Sequence, residues 1–263
     1  MAFSNQSDPR IPAISVPHAG KEEYWNTWQK VRSVWRFVAE HYLKEFDFFM
    51  FGGDDVFVIA QNLRNYLARA APDPGREHFL GRPFRSGHVF NSGGAGYVLG
   101  RRTLATFHAH LEDQRCSPAL RIFAEDVVIA DCLRRVANVT PVATWDELRR
   151  ERFHPFPPGT HYNYRKPKSP DWYSRYTAEW GLKFGLDCCA PDSVSFHYIK
   201  EPVRVRQLYA WLHSCGRHLA SSDSSARGAE THREGRGSMR QPLIRGASQH
   251  GRATETTTGK SRQ

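Results

Sequence analysis

The chain of 263 residues has no long apolar run. Its longest nearly apolar stretch is FDFFMF, residues 46–51, whereas a helix needs roughly 18 apolar residues to span a membrane. The first 23 residues also lack the apolar segment that a signal peptide requires. The sequence therefore predicts neither a membrane anchor nor a leader among these residues.

Cysteine is scarce, and no C-x-x-C pair occurs, which argues against a zinc ribbon. An odd number of cysteines is compatible with two disulfides and a free thiol, or with no disulfide. Composition alone leaves both the pairing and the cellular compartment open. The cysteines are Cys116, Cys132, Cys188, Cys189 and Cys215.

Residues 220–263 contain no aromatic ring and few large apolar side chains. Such a segment buries too little surface to offset its ordering entropy, so we predict a disordered tail, with a basic interaction tail as the alternative. Residues 1–219 are predicted to form one domain. The formal net charge is +10, but the tail holds eight Lys or Arg against four Asp or Glu. The domain is thus only mildly basic, and we expect no nucleic acid partner.

The domain mixes helical and strand-like patterns, which indicates an α/β layered fold. A helix is predicted from a stripe of large apolar residues whose simplest role is core packing: Trp25, Trp28, Val31, Trp35, Val38 and Tyr42. Strands are predicted at 46–51 and 193–199. Further helices are predicted from about Ile59, from about Arg101, within AEDVVIADCLRRV and within PVRVRQLYAWLHSC, whereas the Pro-rich residues 153–176 are expected to be irregular.

Two adjacent carboxylates, Asp54 and Asp55, follow the strand at 46–51 and a glycine pair. Acids at the carboxyl end of a strand lie at the sheet edge where α/β folds bind ligands. Side by side they repel each other unless a cation neutralises them, and oxygen ligands with an imidazole suit Mn²⁺ or Mg²⁺. The alternative is an ordinary loop with two solvated aspartates. His197 supplies a candidate imidazole, although a histidine in a strand is more often a core or surface group.

Glu125 and Asp126 begin a predicted helix, where the helix dipole alone favours acids. The functional alternative is a general base that takes a proton from an attacking hydroxyl. In NSGGAGYVL, Gly93, Gly94 and Ala95 permit close approach of the backbone to a ligand, or form a tight turn only. Trp172 and Tyr173 could stack on a sugar face or pack in the core.

Several stretches occur together and in the order of one known family: the long segment WQKVRSVWRFVAEHYLKEFDFFMFGGDDVFVIAQNLRNYL, then FLGRPF, NSGGAGYVL, AEDVVIADCLR, RFHPFPPG, DWY and DCCAPDSVSFHYI. On these motifs the chain resembles the core 1 β1,3-galactosyltransferases, within glycosyltransferase family 31. The resemblance covers residues 11–212 approximately.

The resemblance implies a GT-A fold that transfers galactose from UDP-galactose, with inversion and Mn²⁺, to N-acetylgalactosamine α-linked to Ser or Thr of glycoproteins. It implies Asp55 and His197 as metal ligands with Asp54 beside them, and Asp126 as the catalytic base. Donor or acceptor contacts would come from the glycine turn, Glu125 and the Trp172–Tyr173 pair. It further implies a disulfide between Cys116 and Cys132 and a lumenal Golgi location at the membrane, and it is compatible with a homodimer.

The chain departs from the family in two ways. Gly53 stands where the family has the first of three acids, and the matched region begins after the family's anchor, stem and first nucleotide-binding strands. We therefore expect an N-terminally incomplete catalytic domain. Two alternatives stay open: another β1,3-hexosyltransferase, or an inactive relative acting as a chaperone or glycan-binding module. The presence of Asp55, Asp126 and His197 favours an enzyme.

Overall fold

The computed structural model describes residues 1–71 and 73–222. One compact unit comprises Met1–His213, and Ser214–Gln263 form a second unit. The site residues named above all belong to the first unit. The predicted tail, apart from its first three residues, lies outside the described residues.

The chain forms a mixed α/β structure. The helices are α1 (Thr27–Tyr42), α2 (Ala60–Ala70), α3 (Arg101–Ala109), α4 (Glu125–Ala137), α5 (Pro158–Asn163), α6 (Trp172–Tyr176) and α7 (Pro202–Ser222). The strands are β1 (Ala2–Ser4), β2 (Ala13–Ser15), β3 (Phe48–Phe51), β4 (Phe57–Val58), β5 (Phe79–Gly81), β6 (Pro83–Ser86), β7 (His88–Asn91), β8 (Tyr97–Gly100), β9 (Val142–Ala143), β10 (Phe153–His154) and β11 (Ser195–Phe196). Short 3₁₀ turns occupy Tyr24–Asn26, Gln114–Cys116 and Gly185–Cys188.

The central sheet has the strand order β3-β8-β5-β9. Strand β8 is buried along its whole length and pairs antiparallel with β3 and with β5, whereas β9 joins β5 in parallel. The predicted strand before the two acids is thus confirmed as β3. It pairs on one side only in the described part of the chain, so Asp54 and Asp55 follow an outer strand of the sheet.

Helix α1 packs its aromatic stripe into the core, as the spacing predicts. Trp28 and Trp35 are almost fully buried beside Val31. The prediction was wrong for Trp25, whose surface is 58% exposed. The helix begins only at Thr27, so Trp25 lies in the preceding 3₁₀ turn and outside the helical phase that the stripe assumes.

A second small sheet has the order β10-β11-β4. Strand β11 pairs antiparallel with β4, so that Ser195 lies opposite Val58 and Phe196 opposite Phe57. The strand predicted over 193–199 is therefore shorter than its alternating pattern suggests, and His197 follows directly after it. This pairing joins the segment after the two acids to the segment before His197.

Residues 153–176 are not wholly irregular, because they contain α5 and α6. Helix α5 begins at a proline, which is favourable at the first helical position. In α6 the side chain of Asp171 accepts a hydrogen bond from the Ser174 N–H at 2.7 Å, the arrangement of an N-cap. Asp171 in DWYS is therefore a helix-capping signal. It was overlooked because the prolines of this segment favoured an irregular structure.

Two disulfides are present among the described residues. Cys116 joins Cys132, and Cys188 joins Cys189. The first fastens the 3₁₀ turn at Gln114–Cys116 to α4, and both of its cysteines are fully buried. Within the part of the chain that the structure covers, no helix combines the length and apolar character needed to cross a membrane.

Candidate active site

Asp55 and His197 meet where the loop after β3 faces the end of β11. Asp55 Oδ1 lies 3.2 Å from His197 Nε2. The antiparallel β4–β11 register brings them together, and the Ile199 N–H donating to the Asp55 carbonyl at 2.9 Å continues that pairing. Two potential metal ligands from distant parts of the chain therefore converge.

The imidazole of His197 is oriented by its second nitrogen. Nδ1 lies 3.2 Å from the carbonyl oxygen of Pro155, which can only accept a hydrogen bond, so Nδ1 carries the proton. This orientation turns Nε2 toward Asp55, where it is the ring nitrogen available to a metal ion. Metal-bound histidines in proteins are commonly fixed in this way.

The glycine turn between β7 and β8 packs against both halves of the site. A Cβ at Gly94 would lie 2.7 Å from Cε1 and Nδ1 of His197, and one at Gly93 would lie 2.4 Å from Oε1 of Glu125. Ser195 donates its hydroxyl to the Ala95 carbonyl at 2.6 Å, which ties the turn to β11. The two glycines are required because any side chain would displace a site residue.

Asp126 lies in the first turn of α4. Its Oδ2 accepts the Gly93 N–H at 2.8 Å, and its Oδ1 accepts the Val127 N–H at 2.9 Å. Burial raises the pKa of the Asp126 carboxyl above its ordinary value, and these N–H donors offset part of the rise. A fixed carboxylate with a raised pKa has the properties of a general base.

Glu125 faces the core beside Asp126. The Tyr97 hydroxyl donates to Glu125 Oε2 at 2.9 Å and accepts the indole N–H of Trp35 at 3.2 Å. Burial, and then the charge of Asp126, raise the pKa of Glu125 well above its ordinary value. Through its bond with Tyr97, Glu125 anchors the start of α4 to β8.

Asp126 and His197 line one cavity of about 330 Å³, and the ring of Trp172 forms part of its wall. Trp172 is 46% exposed, whereas the adjacent Tyr173 is buried and packs against Phe84 with ring centroids 6.0 Å apart. Only the first aromatic of the predicted Trp172–Tyr173 pair therefore faces the cavity, and the second belongs to the core.

Sequence reasoning missed Tyr198 and Lys200. Tyr198 has a φ of 60°, a conformation that is strained for a tyrosine, and its ring stacks on His197 with centroids 3.8 Å apart. It lines the same cavity as Asp126. The ammonium of Lys200 lies 3.8 Å from Asp55 Oδ2. Both follow His197 closely in the chain, which is the one signal that could have identified them.

Asp54 does not join Asp55 and His197 in a cluster of three potential metal ligands. It is exposed and lines a larger groove of about 930 Å³, which α1, β3 and the Gly52–Gly53 pair also border. No group of three or more His, Cys, Asp or Glu side chains suited to a metal occurs among residues 1–71 and 73–222. The protein thus brings two of its three predicted metal ligands together.

Comparisons with known proteins support the resemblance. No family model matches the chain. Over 201 residues it is 32% identical to glycoprotein-N-acetylgalactosamine 3-beta-galactosyltransferase 1 of Xenopus laevis, which covers 75% of this chain and 53% of that protein. Over 163 residues it is 24% and 23% identical to chondroitin sulfate synthase 3 of Mus musculus and Homo sapiens, covering 18% of each.

These relatives place the chain among the glycosyltransferases. Within that class, the 32% identity to the frog protein supports the core 1 β1,3-galactosyltransferase family. The chain spans about half the length of the frog protein that it matches.

Proposed function

We propose that the chain transfers galactose from UDP-galactose, in β1,3 linkage and with inversion, to N-acetylgalactosamine α-linked to Ser or Thr of glycoproteins. The observation that carries the proposal is the shared cavity of Asp126 and His197, with Asp55 3.2 Å from the imidazole. One cavity thus holds a candidate base at one wall and a candidate metal ligand at another. On this proposal the mixed sheet is part of a GT-A catalytic domain.

The residues present fit a divalent cation such as Mn²⁺ that is completed by substrate. Asp55 and His197 would hold it, since one carboxylate and one neutral imidazole suit Mn²⁺, and the diphosphate of the donor would supply further oxygens. When bound, such an ion neutralises the negative charge that develops on the departing diphosphate. Asp54, which is exposed nearby, is placed to act through water or on the donor rather than beside the other two groups.

Asp126 is proposed to act on the acceptor. Its carboxylate takes the proton from the 3-hydroxyl of N-acetylgalactosamine while that oxygen bonds to the anomeric carbon of galactose. The bond from that carbon to the diphosphate oxygen breaks, its electron pair leaves with UDP, and attack from the opposite face inverts the anomeric centre. The N–H groups of Gly93 and Val127 hold the carboxylate in place for this proton transfer.

The two cavities suggest where each substrate lies. Asp54 lines the groove of about 930 Å³, which has the volume for a nucleotide sugar, and Asp126 lines the smaller one. Asp54 lines the groove, His197 lines the cavity, and Asp55 is next to Asp54 in the chain and contacts His197. These three residues therefore connect the groove to the cavity. We assign the donor to the groove, and the acceptor sugar to the cavity that Trp172 and Gly94 line.

The family resemblance also supports a lumenal location at the Golgi membrane and leaves room for a homodimer. The buried Cys116–Cys132 disulfide is the structural feature that fits an oxidising compartment. Trapping free thiols in cells followed by mass spectrometry would test the compartment, and sedimentation of the purified chain would test the dimer.

A second candidate is transfer of a different hexose by the same machinery. It is favoured by the similarity to chondroitin sulfate synthase 3 over 58% of this chain. Small differences in pocket shape decide donor and acceptor choice within one fold. A panel of UDP-sugars offered with the same acceptor distinguishes the two candidates.

The decisive experiment is a transfer assay with UDP-galactose, Mn²⁺ and a peptide that carries α-linked N-acetylgalactosamine. We expect product from the parent chain, none without a divalent cation, and about 10²- to 10⁴-fold slower transfer by Asp126→Asn. Binding of UDP and Mn²⁺ should survive that substitution, because Asp126 lies outside the proposed metal site. Parent chain that binds UDP and Mn²⁺ but transfers no sugar to any acceptor would instead indicate an inactive relative, and binding of the glycopeptide would then distinguish a glycan-binding module from a chaperone.

A further inference from the structure

Three exposed aromatic rings form a continuous surface beside the acceptor cavity, and we call them the aromatic ridge: Tyr24, Trp25 and Phe123. Their exposed fractions are 67%, 58% and 41%. Phe123 stacks on Tyr24 with centroids 5.4 Å apart and meets Trp25 edge-on at 5.1 Å. Clustered exposed apolar surface of this kind commonly marks a binding site.

The ridge is held in place from below. The backbone N–H of Trp28 donates to the Ile122 carbonyl at 2.9 Å, which fastens the start of α1 to the segment that carries Phe123. An ion pair between Arg121 and Glu23 links the same two segments. Three rings on two cross-linked segments form a surface that is ordered before any ligand arrives, which lowers the entropic cost of binding.

The ridge is continuous with the candidate active site. Phe123 lines the cavity that contains Asp126, and only Ala124 and Glu125 separate the two residues in the chain. The Glu125 N–H donates to the Phe123 carbonyl at 2.9 Å, so the ring is fixed relative to the first turn of α4. A ligand that extends out of the cavity past Phe123 therefore runs directly onto Tyr24 and Trp25.

The size of the cavity indicates what extends outward. A volume of about 330 Å³ is near the lower limit for a small-molecule site, and it holds a sugar but not the polypeptide that bears it. Polypeptides with many O-linked sugars are rich in Ser, Thr and Pro and favour the polyproline II conformation. Exposed aromatic rings are the usual recognition surface for that conformation.

We propose that the aromatic ridge binds the proline-rich polypeptide of the glycoprotein acceptor while its sugar occupies the cavity. The inference rests on the proposed function and extends it from the sugar to its carrier. The ridge sets affinity for the polypeptide, and the carboxylate of Asp126 has no part in that contact. Tyr24 also borders the larger groove and Phe123 lines the cavity, so Trp25 is the ridge residue that isolates this contact. Substitution of Trp25 therefore changes substrate affinity according to the carrier and leaves the chemical step alone.

The test compares two acceptors: methyl α-N-acetylgalactosaminide, and a proline-containing peptide with the same sugar on one Thr. Trp25→Ala removes a ridge ring that lines neither cavity, and Trp211→Ala is the matched control, since Trp211 is 66% exposed on α7. For Trp25→Ala we expect KM for the glycopeptide to rise about tenfold, the effect of one well-placed aromatic contact. We expect kcat, and KM for the methyl glycoside, to stay unchanged.

An equal change for both acceptors, or none for either, would overturn the proposal. So would a Trp25→Ala chain that sediments as a different oligomer with unaltered KM, because the ridge would then contact another copy of the protein. Calorimetry with the same glycopeptide separates this result from failure of the proposed function. If the parent transfers no sugar, tighter glycopeptide binding by the parent than by Trp25→Ala still supports the ridge, and equal binding refutes it.

Discussion

The Gly93 N–H donates to Oδ2 of Asp126 at 2.8 Å, so the glycine turn and the candidate base are directly bonded. The next glycine of the turn, Gly94, lies against the His197 ring. A single short turn thus touches the group proposed to act on the nucleophile and the group proposed to hold the metal. The distance between the Asp126 carboxylate and the His197 ring therefore depends on the backbone of Gly93 and Gly94, which have no side chains.

Amide substitution is expected to abolish most activity at Asp126 and to have little effect at Glu125. Asp126→Asn removes the proton acceptor and should lower kcat by about 10²- to 10⁴-fold, the usual contribution of a general base. Glu125→Gln should leave kcat within a few-fold, because Glu125 is buried beside Tyr97 and an amide oxygen can still accept the hydrogen bond from the Tyr97 hydroxyl. Steady-state kinetics of both variants at neutral pH check this, and equal loss in the two would contradict the assignment.

Gly94→Ala is expected to weaken metal binding. Its Cβ would lie 2.7 Å from the His197 ring, so the ring must shift and lose its present geometry with the Pro155 carbonyl, Tyr198 and Asp55. We expect affinity for Mn²⁺, measured by calorimetry with UDP present, to fall about 10- to 100-fold, as when groups supporting a metal ligand are lost.

Gly159→Ala is the control for that substitution, because a Cβ at Gly159 meets no atom within 4 Å. It should bind Mn²⁺ as the parent does. If the two alanine variants bind the ion equally well, His197 is not a metal ligand.

Stability should depend on pH through Glu125. Its pKa is raised in the folded protein, so the folded state holds the proton more tightly than the unfolded chain does. The stabilisation that this proton provides is full below the ordinary carboxyl pKa of 4.5 and is lost as pH rises from there through the folded-state value. Urea unfolding of parent and Glu125→Gln should give curves of free energy against pH that diverge in this direction, the variant losing less.

The buried ion pair of Arg82 and Glu151 should show strong coupling. Both side chains are almost inaccessible, and burial lowers the pKa of Arg82. Removing one partner leaves an unpaired buried charge, so Arg82→Met should lower the free energy of unfolding by about 3–5 kcal/mol. The double variant Arg82→Met, Glu151→Gln should recover part of that loss in chemical denaturation, and strictly additive effects would show that the two groups act independently.

Local patterns in the sequence predicted elements well where one physical signal dominated. The stripe of α1, which is largely buried, and the apolar run of β3, whose residues are all buried or half-buried, are examples. The prediction placed Trp25 in the buried stripe because it stands three residues before Trp28, but α1 begins only at Thr27 and Trp25 lies in the preceding 3₁₀ turn. Helix α6 was hidden because its capping aspartate stands in a proline-rich segment.

The candidate site was less predictable from local signals. Asp55 and His197 meet only because β4 pairs with β11. The alternating pattern over 193–199 predicted the strand that contains β11, whereas nothing predicted the two-residue β4 or the pairing of the two strands. For Asp126 the capping and catalytic interpretations look alike in sequence; the bond from Gly93 becomes visible only in three dimensions. The family motifs supplied the grouping that residue types alone could not.

The disulfide at Cys132 has a consequence for the chemistry beyond holding the fold together. Asp126 and Cys132 lie on one helix, six residues or about 9 Å apart along its axis. Helix α4 thus carries the proposed base in its first turn, and the disulfide to Cys116 fixes the same helix covalently further along. Oxidation of these two cysteines during folding therefore determines how firmly the Asp126 carboxylate is held during every later turnover.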